Sequence, residues 1–336
     1  MQSNETTLQS PVHWGVLSAA NIGVKLVAPA ILASSNGRLV AVGSSNPERA
    51  RALFAFAPEI AVYDNYESLI NDPTIEAIYN PLPNGLHAEW TIKALQAGKH
   101  VLCEKPLAVT AEQGALMAQV SRETGNLLME AFMYRFHPQT VWALEQIAIG
   151  RIGDVKLVRS SFSFDISTRP RDIRLQAALA GGSLMDVGCY PVSMCRAVYG
   201  RMPLAVGARV FVPDGSEVER SANAVLDFGN GCFGLIDASF DLPGRQVTEI
   251  VGDAGMITIR VPFSPGPSEA TVIVSTEGQE VDQHFAPVDQ YRLEVEHFAA
   301  CIRLDRLPIL ALEETIENLA TIEAIYQSAG YSWPKA

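Results

Sequence analysis

Long apolar runs are missing from this chain: no stretch reaches the roughly 20 residues needed to cross a bilayer, so no membrane-spanning helix is expected. Cysteine is scarce. The five, Cys103, Cys189, Cys195, Cys232 and Cys301, are odd in number and form no C-x-x-C pair. Neither a metal cluster nor a disulfide framework is expected, and a reducing compartment fits. The six histidines show no H-E-x-x-H spacing, which leaves a zinc site without support. Basic excess is absent too: 25 Lys and Arg stand against 37 Asp and Glu, for a net charge of −12. Such a chain has no electrostatic reason to bind nucleic acid or an anionic membrane. Residues 1–10 read as a loose polar tail without the basic and apolar regions of a signal peptide. A cytoplasmic protein is expected.

What is present is core material. Of 336 residues 48% are hydrophobic and 18% charged, which excludes wholesale disorder and suggests two domains. Residues 12–17, 39–42, 61–63, 76–79, 100–103 and 127–130 read as short buried strands. Helical spacing falls between them at 21–34, 47–56, 68–71, 87–97 and 110–124. This alternation predicts a doubly wound parallel sheet covered by helices on both faces. After a helix around 140–149 the pattern changes to strands at 155–164, 205–211, 222–228, 232–240, 247–252, 256–261 and 270–275, interrupted by a helix at 186–198. Asp227–Gly231 reads as a hairpin turn. The expected fold class is α/β, with domains at 11–130 and 131–336. The second is α+β, with an open, mostly antiparallel sheet. The stretch 291–328 is helical again.

The first strand-to-helix turn runs Gly15-Val16-Leu17-Ser18-Ala19-Ala20-Asn21-Ile22-Gly23. A dinucleotide turn needs small residues, so that backbone can approach a pyrophosphate, and a helix N-terminus to receive its charge. Ser18 and Ala20 stand where glycines are usual and only Gly23 matches, so the turn also reads as a plain strand-helix link. The second strand ends Gly43-Ser44-Ser45-Asn46-Pro47-Glu48-Arg49, without the carboxylate that holds ribose hydroxyls in NAD enzymes. Hydroxyls, an amide and Arg49 suit a 2′-phosphate, hence NADP rather than NAD. The alternative leaves Arg49 a solvated helix residue.

Two more segments carry chemistry. One is Tyr79-Asn80-Pro81-Leu82-Pro83-Asn84-Gly85-Leu86-His87 with Cys103-Glu104-Lys105-Pro106. The other is Gly181-Gly182-Ser183-Leu184-Met185-Asp186-Val187-Gly188-Cys189-Tyr190. With them the chain resembles the Gfo/Idh/MocA oxidoreductases over nearly its whole length, from about Val12 to Ser328. Tyr190 stands where several members have His, so the resemblance points to the branch of glucose–fructose oxidoreductase, aldose–aldose oxidoreductases, NADP-dependent xylose dehydrogenases and dimeric dihydrodiol dehydrogenases. Glu130-Ala131-Phe132-Met133-Tyr134-Arg135-Phe136-His137-Pro138 and Arg174-Leu175 resemble the same branch. The resemblance implies a Rossmann domain, an open-faced sheet domain and a final helix packing back on the first domain. It implies cofactor contacts from Ser18, Ala20, Asn21, Ile22, Ser44, Arg49, Pro81, Leu82, Asn84, His87, Glu104 and Lys105.

Alcohol oxidation needs a base for the hydroxyl proton. Tyrosine, with a free pKa of ~10, is only about 0.1% phenolate at pH 7, and a nearby ammonium favours the phenolate. Tyr190 is therefore the expected general acid/base and Lys105 its electrostatic partner. As a bland alternative Tyr190 is a packing aromatic. Asp186, one helical turn earlier, orients substrate or Lys105, or merely stabilises the helix N-terminus. Arg135 and Arg174 bind substrate hydroxyls or form ordinary ion pairs. His87 lies beside the cofactor or at the surface, and Asn84 caps the next helix or contacts the nicotinamide side. A cis Lys105–Pro106 bond suits a tight active-site turn. Cys103 and Cys189 read as small core residues.

The implied activity is oxidation of a cyclic aldose at C1 to its lactone with NADP. In a variant, the hydride passes to a second sugar while NADP is retained. Alternatives are a trans-dihydrodiol dehydrogenase, a keto-sugar reductase, or a non-catalytic NADP-dependent sensor. The expected partners are a carbohydrate substrate and further copies of the chain, as a homodimer or higher oligomer through the open sheet face.

Overall fold

The computed structural model describes residues 10–266 and 268–332. The tail expected over 1–10 lies, but for Ser10, outside the described residues. Six strands, β1 (Val12–Leu17), β2 (Gly37–Gly43), β3 (Ala61–Tyr63), β4 (Ala77–Asn80), β5 (His100–Glu104) and β6 (Leu128–Ala131), form one sheet in the order β3-β2-β1-β4-β5-β6. Every pair is parallel. The central strands are buried along almost their whole length, because helices cover both faces. These helices are α1 (Ala28–Ala33, entered through a wide π turn, Gly23–Val27), α2 (Pro47–Leu53), α3 (Tyr66–Ile70), α4 (His87–Gln96) and α5 (Ala111–Thr124). Local chemistry starts two of them: the side chains of Asn46 and Asn65 accept the N–H groups of Arg49 and Ser68 as N-caps. Strand order reverses between β1 and β4, the switch point at which open α/β sheets bind ligands.

After α6 (Pro138–Ala148) a second sheet forms from β7 (Val155–Ser163), β8 (Ala205–Phe211), β9 (Ser221–Asp227), β10 (Phe233–Ser239), β11 (Arg245–Gly252), β12 (Gly255–Ile259), β13 (Ala270–Thr276) and β14 (Gln279–Phe285), with α7 (Cys189–Tyr199) between β7 and β8. Its order is β14-β13-β12-β11-β7-β10-β9-β8, antiparallel except for the β7–β10 pair. Helix α7 packs on one face, where Gly234 of β10 lets the Cys195 side chain approach. The opposite face is a broad groove of about 650 Å³ lined by Arg159, Arg209, Val225, Asp237, Arg245 and Glu249, among others. None of the motif residues lines that groove.

The chain divides into two compact units. One holds the parallel sheet, most of its helices and Asp289–Ile316. The other holds Tyr134–Val288 and the chain from Glu317 on. The late helical stretch is two helices, α8 (Gln290–Leu304) and α9 (Leu312–Ser328). Asp305 in the left-handed region ends the first. The final helix was expected on the first domain; within the first unit it is α8 that packs there, its Phe298 ring meeting Trp14 at 5.8 Å and its Arg303 pairing with Glu76. Most of α9 belongs to the second unit, where Ser328 bonds the backbone of β8. Strand β14 escaped the sequence reading. It is polar and mostly exposed at the sheet edge, so it pairs through backbone without needing an apolar face. Among the described residues no helix is long and apolar enough to cross a membrane, and no His/Cys/Asp/Glu group could hold a metal ion.

Candidate active site

The lysine turn is built by strand register. β5 lies between β4 and β6, with Glu104 opposite Ala131, and Lys105 follows at its carboxyl end. The Lys105–Pro106 bond is cis, as expected. Two buried side chains fix the turn. The His87 ring faces the carbonyls of Pro106 at 2.9 Å and Leu82 at 2.7 Å, so it ties the turn to the Pro81–Pro83 wall. Burial lowers its pKa to about 4, with Lys105 pushing the same way; the two carbonyls oppose the shift, since only the doubly protonated ring donates to both at once. His87 is thus a buried clamp and not a surface residue. Glu130, at the end of β6, accepts the Leu107 N–H at 2.8 Å. Burial raises this carboxyl to about 8, although the Leu107 bond and Lys105 oppose the shift. The Glu104 carboxylate accepts the Tyr79 hydroxyl at 2.6 Å. The thiol of Cys103 is pushed up by burial, as suits a core residue.

The wall is held from behind. Asn80 donates to the His87 carbonyl and the Thr91 hydroxyl and accepts the Leu82 N–H. Pro81 and Leu82 are buried. Asn84 begins a short 3-10 turn, Asn84–Leu86. The N-cap position of α4 falls on Leu86, so Asn84 is not that helix's cap.

At the nucleotide turn Ser18 adopts φ 69°, a left-handed value that glycine usually supplies. Its N–H bonds the Gly43 carbonyl at 2.8 Å and its hydroxyl receives the Ala20 N–H at 3.3 Å, which holds the residue there. The helix that begins at Asn21 and Ile22 leaves its first N–H groups without intrahelical partners. Beyond β2, the Ser44 hydroxyl braces the Asn46 backbone, and Arg49 is exposed on the first turn of α2.

The tyrosine helix begins at the glycine pair. A Cβ on Gly181 would strike the Arg174 carbonyl, and one on Gly182 would lie 2.5 Å from Glu219 Oε2. The two glycines therefore let a loop and a carboxylate close on the helix start. The chain then makes a π turn, Leu184–Gly188, and continues as α7; Gly188 sits against Ala238 of β10. Arg174 and Asp186 meet: Nε to Oδ2 is 2.7 Å, and Asp172 accepts a second guanidinium nitrogen at 3.2 Å. These carboxylates, Asp186 foremost, hold the Arg174 pKa above its usual value. Tyr190 is 5% exposed, among the rings of Phe263 at 5.3 Å, Phe162 at 5.4 Å and Tyr134 at 6.0 Å. Arg135 is half-buried in the 3-10 turn Met133–Phe136.

Four features escaped the sequence reading: Glu130, Glu219, Asp172 and the aromatic cluster. Glu130 alone carried a signal, an acid inside the apolar run Leu128-Met129-Glu130-Ala131-Phe132. Glu219 is remote from everything it touches, so no spacing marks it.

Residues 12–132 match the oxidoreductase family described by its NAD-binding Rossmann fold, and residues 141–258 match the GFO/IDH/MocA C-terminal domain. The chain is 40% identical to D-xylose 1-dehydrogenase (NADP(+)) 2 of Haloferax volcanii, over 94% of this chain and 97% of that protein. A 3-ketoreductase from Actinomadura kijaniata, solved with NADP and TDP-benzene, superimposes with a TM-score of 0.89 at 28% identity, covering 95% of this chain and 98% of that one. Aldose-aldose oxidoreductase from Caulobacter crescentus, solved with glycerol, gives 0.88 at 27% identity with the same coverage.

Proposed function

Since this chain belongs to the GFO/IDH/MocA family of oxidoreductases, we propose that it oxidises a cyclic aldose at C1 to its lactone with NADP. It is an NADP-dependent oxidoreductase of sugar CH–OH groups. The observation that carries the reading is identity to an NADP-dependent xylose dehydrogenase along almost the whole of both chains, in a sequence that has both Lys105 and Tyr190.

The residues at hand fit the dinucleotide. The N–H groups at the helix start after Ser18 and Ala20, at Asn21 and Ile22, suit a pyrophosphate. Ser44 and exposed Arg49, with no carboxylate at the end of β2, suit a 2′-phosphate. Pro81, Leu82 and Asn84 form the wall on the nicotinamide side, which His87 and Glu104 support from within. When bound, NADP supplies the carbon that takes the hydride. Tyr190 takes the hydroxyl proton at its phenol oxygen, and the Lys105 ammonium favours the phenolate. Asp186, oriented by Arg174, holds a substrate hydroxyl, and Arg135 holds another. The rings around Tyr190 exclude water and keep the phenol oriented.

A second reading, reduction of a keto-sugar, draws support from the ketoreductase likeness. Retention of NADP with hydride passed to a second sugar draws support from the aldose-aldose oxidoreductase likeness. For assembly, the open face of the second sheet is the favoured contact between two copies. It presents Val225 and Phe233 beside the Arg245–Asp237 pair.

A panel of aldoses, keto-sugars and trans-dihydrodiols, assayed with NADP and NADPH, tests the reading. Aldose-dependent NADPH formation with a lactone product is expected. Turnover confined to keto-sugars with NADPH would replace it with the reductase.

A further inference from the structure

We propose that Glu219 is a positioning residue of the reaction: its buried carboxyl group anchors the first turn of the helix that carries Asp186 and Tyr190. This rests on Tyr190 being the general acid/base.

A helix start leaves N–H groups that need acceptors, normally supplied by a local capping side chain. Ser183 stands at the N-cap position here and makes no such bond. Glu219, 36 residues away from Ser183 and fully buried, takes that place. Its main-chain carbonyl accepts the Ser183 N–H at 3.2 Å, and its Oε1 accepts the Leu184 N–H at 2.8 Å and the Ser183 hydroxyl at 3.4 Å. A fourth bond comes from the last helix: the Tyr326 hydroxyl donates to the same Oε1 at 3.1 Å. The other oxygen, Oε2, is buried without a hydrogen-bond partner, against the space a Gly182 side chain would fill.

Three donors converging on one oxygen favour the carboxylate, while burial and the lone Oε2 favour the acid. The balance, set first by burial, raises Glu219 to about 7. The titratable groups facing it are the phenols of Tyr326 and Tyr331, both raised chiefly by burial, and Cys189 faces Tyr326 in turn. Asp186 and Tyr190 lie on the same continuous helix as the anchored turn, so a loosened start displaces both. Misplacement of about 1 Å at a reacting group costs up to roughly 100-fold in rate.

The test is Glu219→Gln, which keeps the shape and the Oε1 acceptor but cannot ionise. The expected result is a kcat lower by about 3- to 30-fold. KM for NADP should change less than about twofold, and one ionisation near pH 7 should vanish from the kcat profile. A purely structural carboxyl would lower thermal stability and leave the pH profile of the folded fraction intact, and that result overturns the proposal. If Glu219→Gln does not fold, Tyr326→Phe decides. Losing one donor should move the same ionisation to higher pH, and an unmoved profile overturns the role. Tyr190→Phe is the control. Abolished turnover there with an unaltered Glu219→Gln removes this inference alone, whereas retained turnover in Tyr190→Phe removes the mechanism and the inference together.

Discussion

Lys105 stands at the end of a strand flanked on both sides by parallel neighbours, whereas Tyr190 stands on a helix whose start is gripped by side chains from distant segments. Around the lysine the grips are on backbone: His87 holds the Pro106 carbonyl and Glu130 holds the Leu107 N–H. Glu130 comes from the neighbouring strand β6 and His87 from the start of α4, and sheet register already places the turn. Around the tyrosine the grips are Arg174 on Asp186 and Glu219 on Leu184, from a loop and from the approach to β9. A strand end is positioned by a ladder of main-chain bonds. A helix is positioned by what meets its termini and its faces, so single side chains and single glycines weigh more there.

The largest expected effect tests whether the two regions act as one site. Lys105→Ala and Tyr190→Phe should each lower turnover by at least ~100-fold. Unchanged turnover in both would leave the comparison without chemical meaning.

Next comes the sensitivity of the helix start. Gly182→Ala faces both a φ of 112° and the Glu219 carboxylate, whereas Gly98→Ala faces only a φ of 82° with nothing within 4 Å. Gly98→Ala should cost on the order of 1 kcal/mol, and Gly182→Ala roughly 2 kcal/mol more, in urea unfolding. Equal losses would mean that the carboxylate gives way freely and the grip on the helix is loose.

The third prediction separates the two buried carboxyls by pH. Burial raises Glu130 to about 8 and Glu219 to about 7, from the ordinary 4.5. A group whose folded pKa lies above its unfolded value contributes stability in full below the unfolded value. That contribution is lost as pH rises through the folded pKa, at about 1.4 kcal/mol for each pH unit between the two values. Unfolding free energy should therefore decline from about pH 5 toward pH 8. Glu219→Gln should remove a decline that ends near 7, and Glu130→Gln one that begins at the same pH and ends near 8. A profile that both variants leave unaltered would show that neither carboxyl is held as described.

The smallest effect belongs to Arg49, exposed on the first turn of α2. Arg49→Ala should weaken NADP binding roughly tenfold and NAD binding little, since one solvent-exposed charged contact is lost. Equal weakening of both, measured by titration, would remove the phosphate clamp.

Much of the architecture was legible in the chain. The parallel sheet followed from short apolar strands at regular spacing, because strands buried on both faces must be apolar throughout. β14 was not legible, since an edge strand with solvent on its side chains carries no such mark. The break between α8 and α9 was missed although Pro308 follows it three residues on; Asp305 ends the helix in the left-handed region, where a glycine is usual. At the site, the motif glycines could be read as a pattern but not as a cause. That Gly181 makes room for the Arg174 carbonyl and Gly182 for the Glu219 carboxylate needed coordinates.

By itself the sequence determined the layered α/β class, the strand end that bears Lys105, the helix that bears Tyr190, and the absence of a carboxylate at the end of the second strand. These are properties of neighbours along the chain, set by periodicity and by residue type. Tertiary structure alone decided what holds those residues: His87 turned inward between two carbonyls, Arg174 locked onto Asp186, and Glu130 and Glu219 buried as anchors. Apart from His87 and Leu82, these pairings join residues 12 to 35 positions apart, and burial is the first cause of the shifts at His87, Glu130 and Glu219. Neither distance nor burial is written in local sequence.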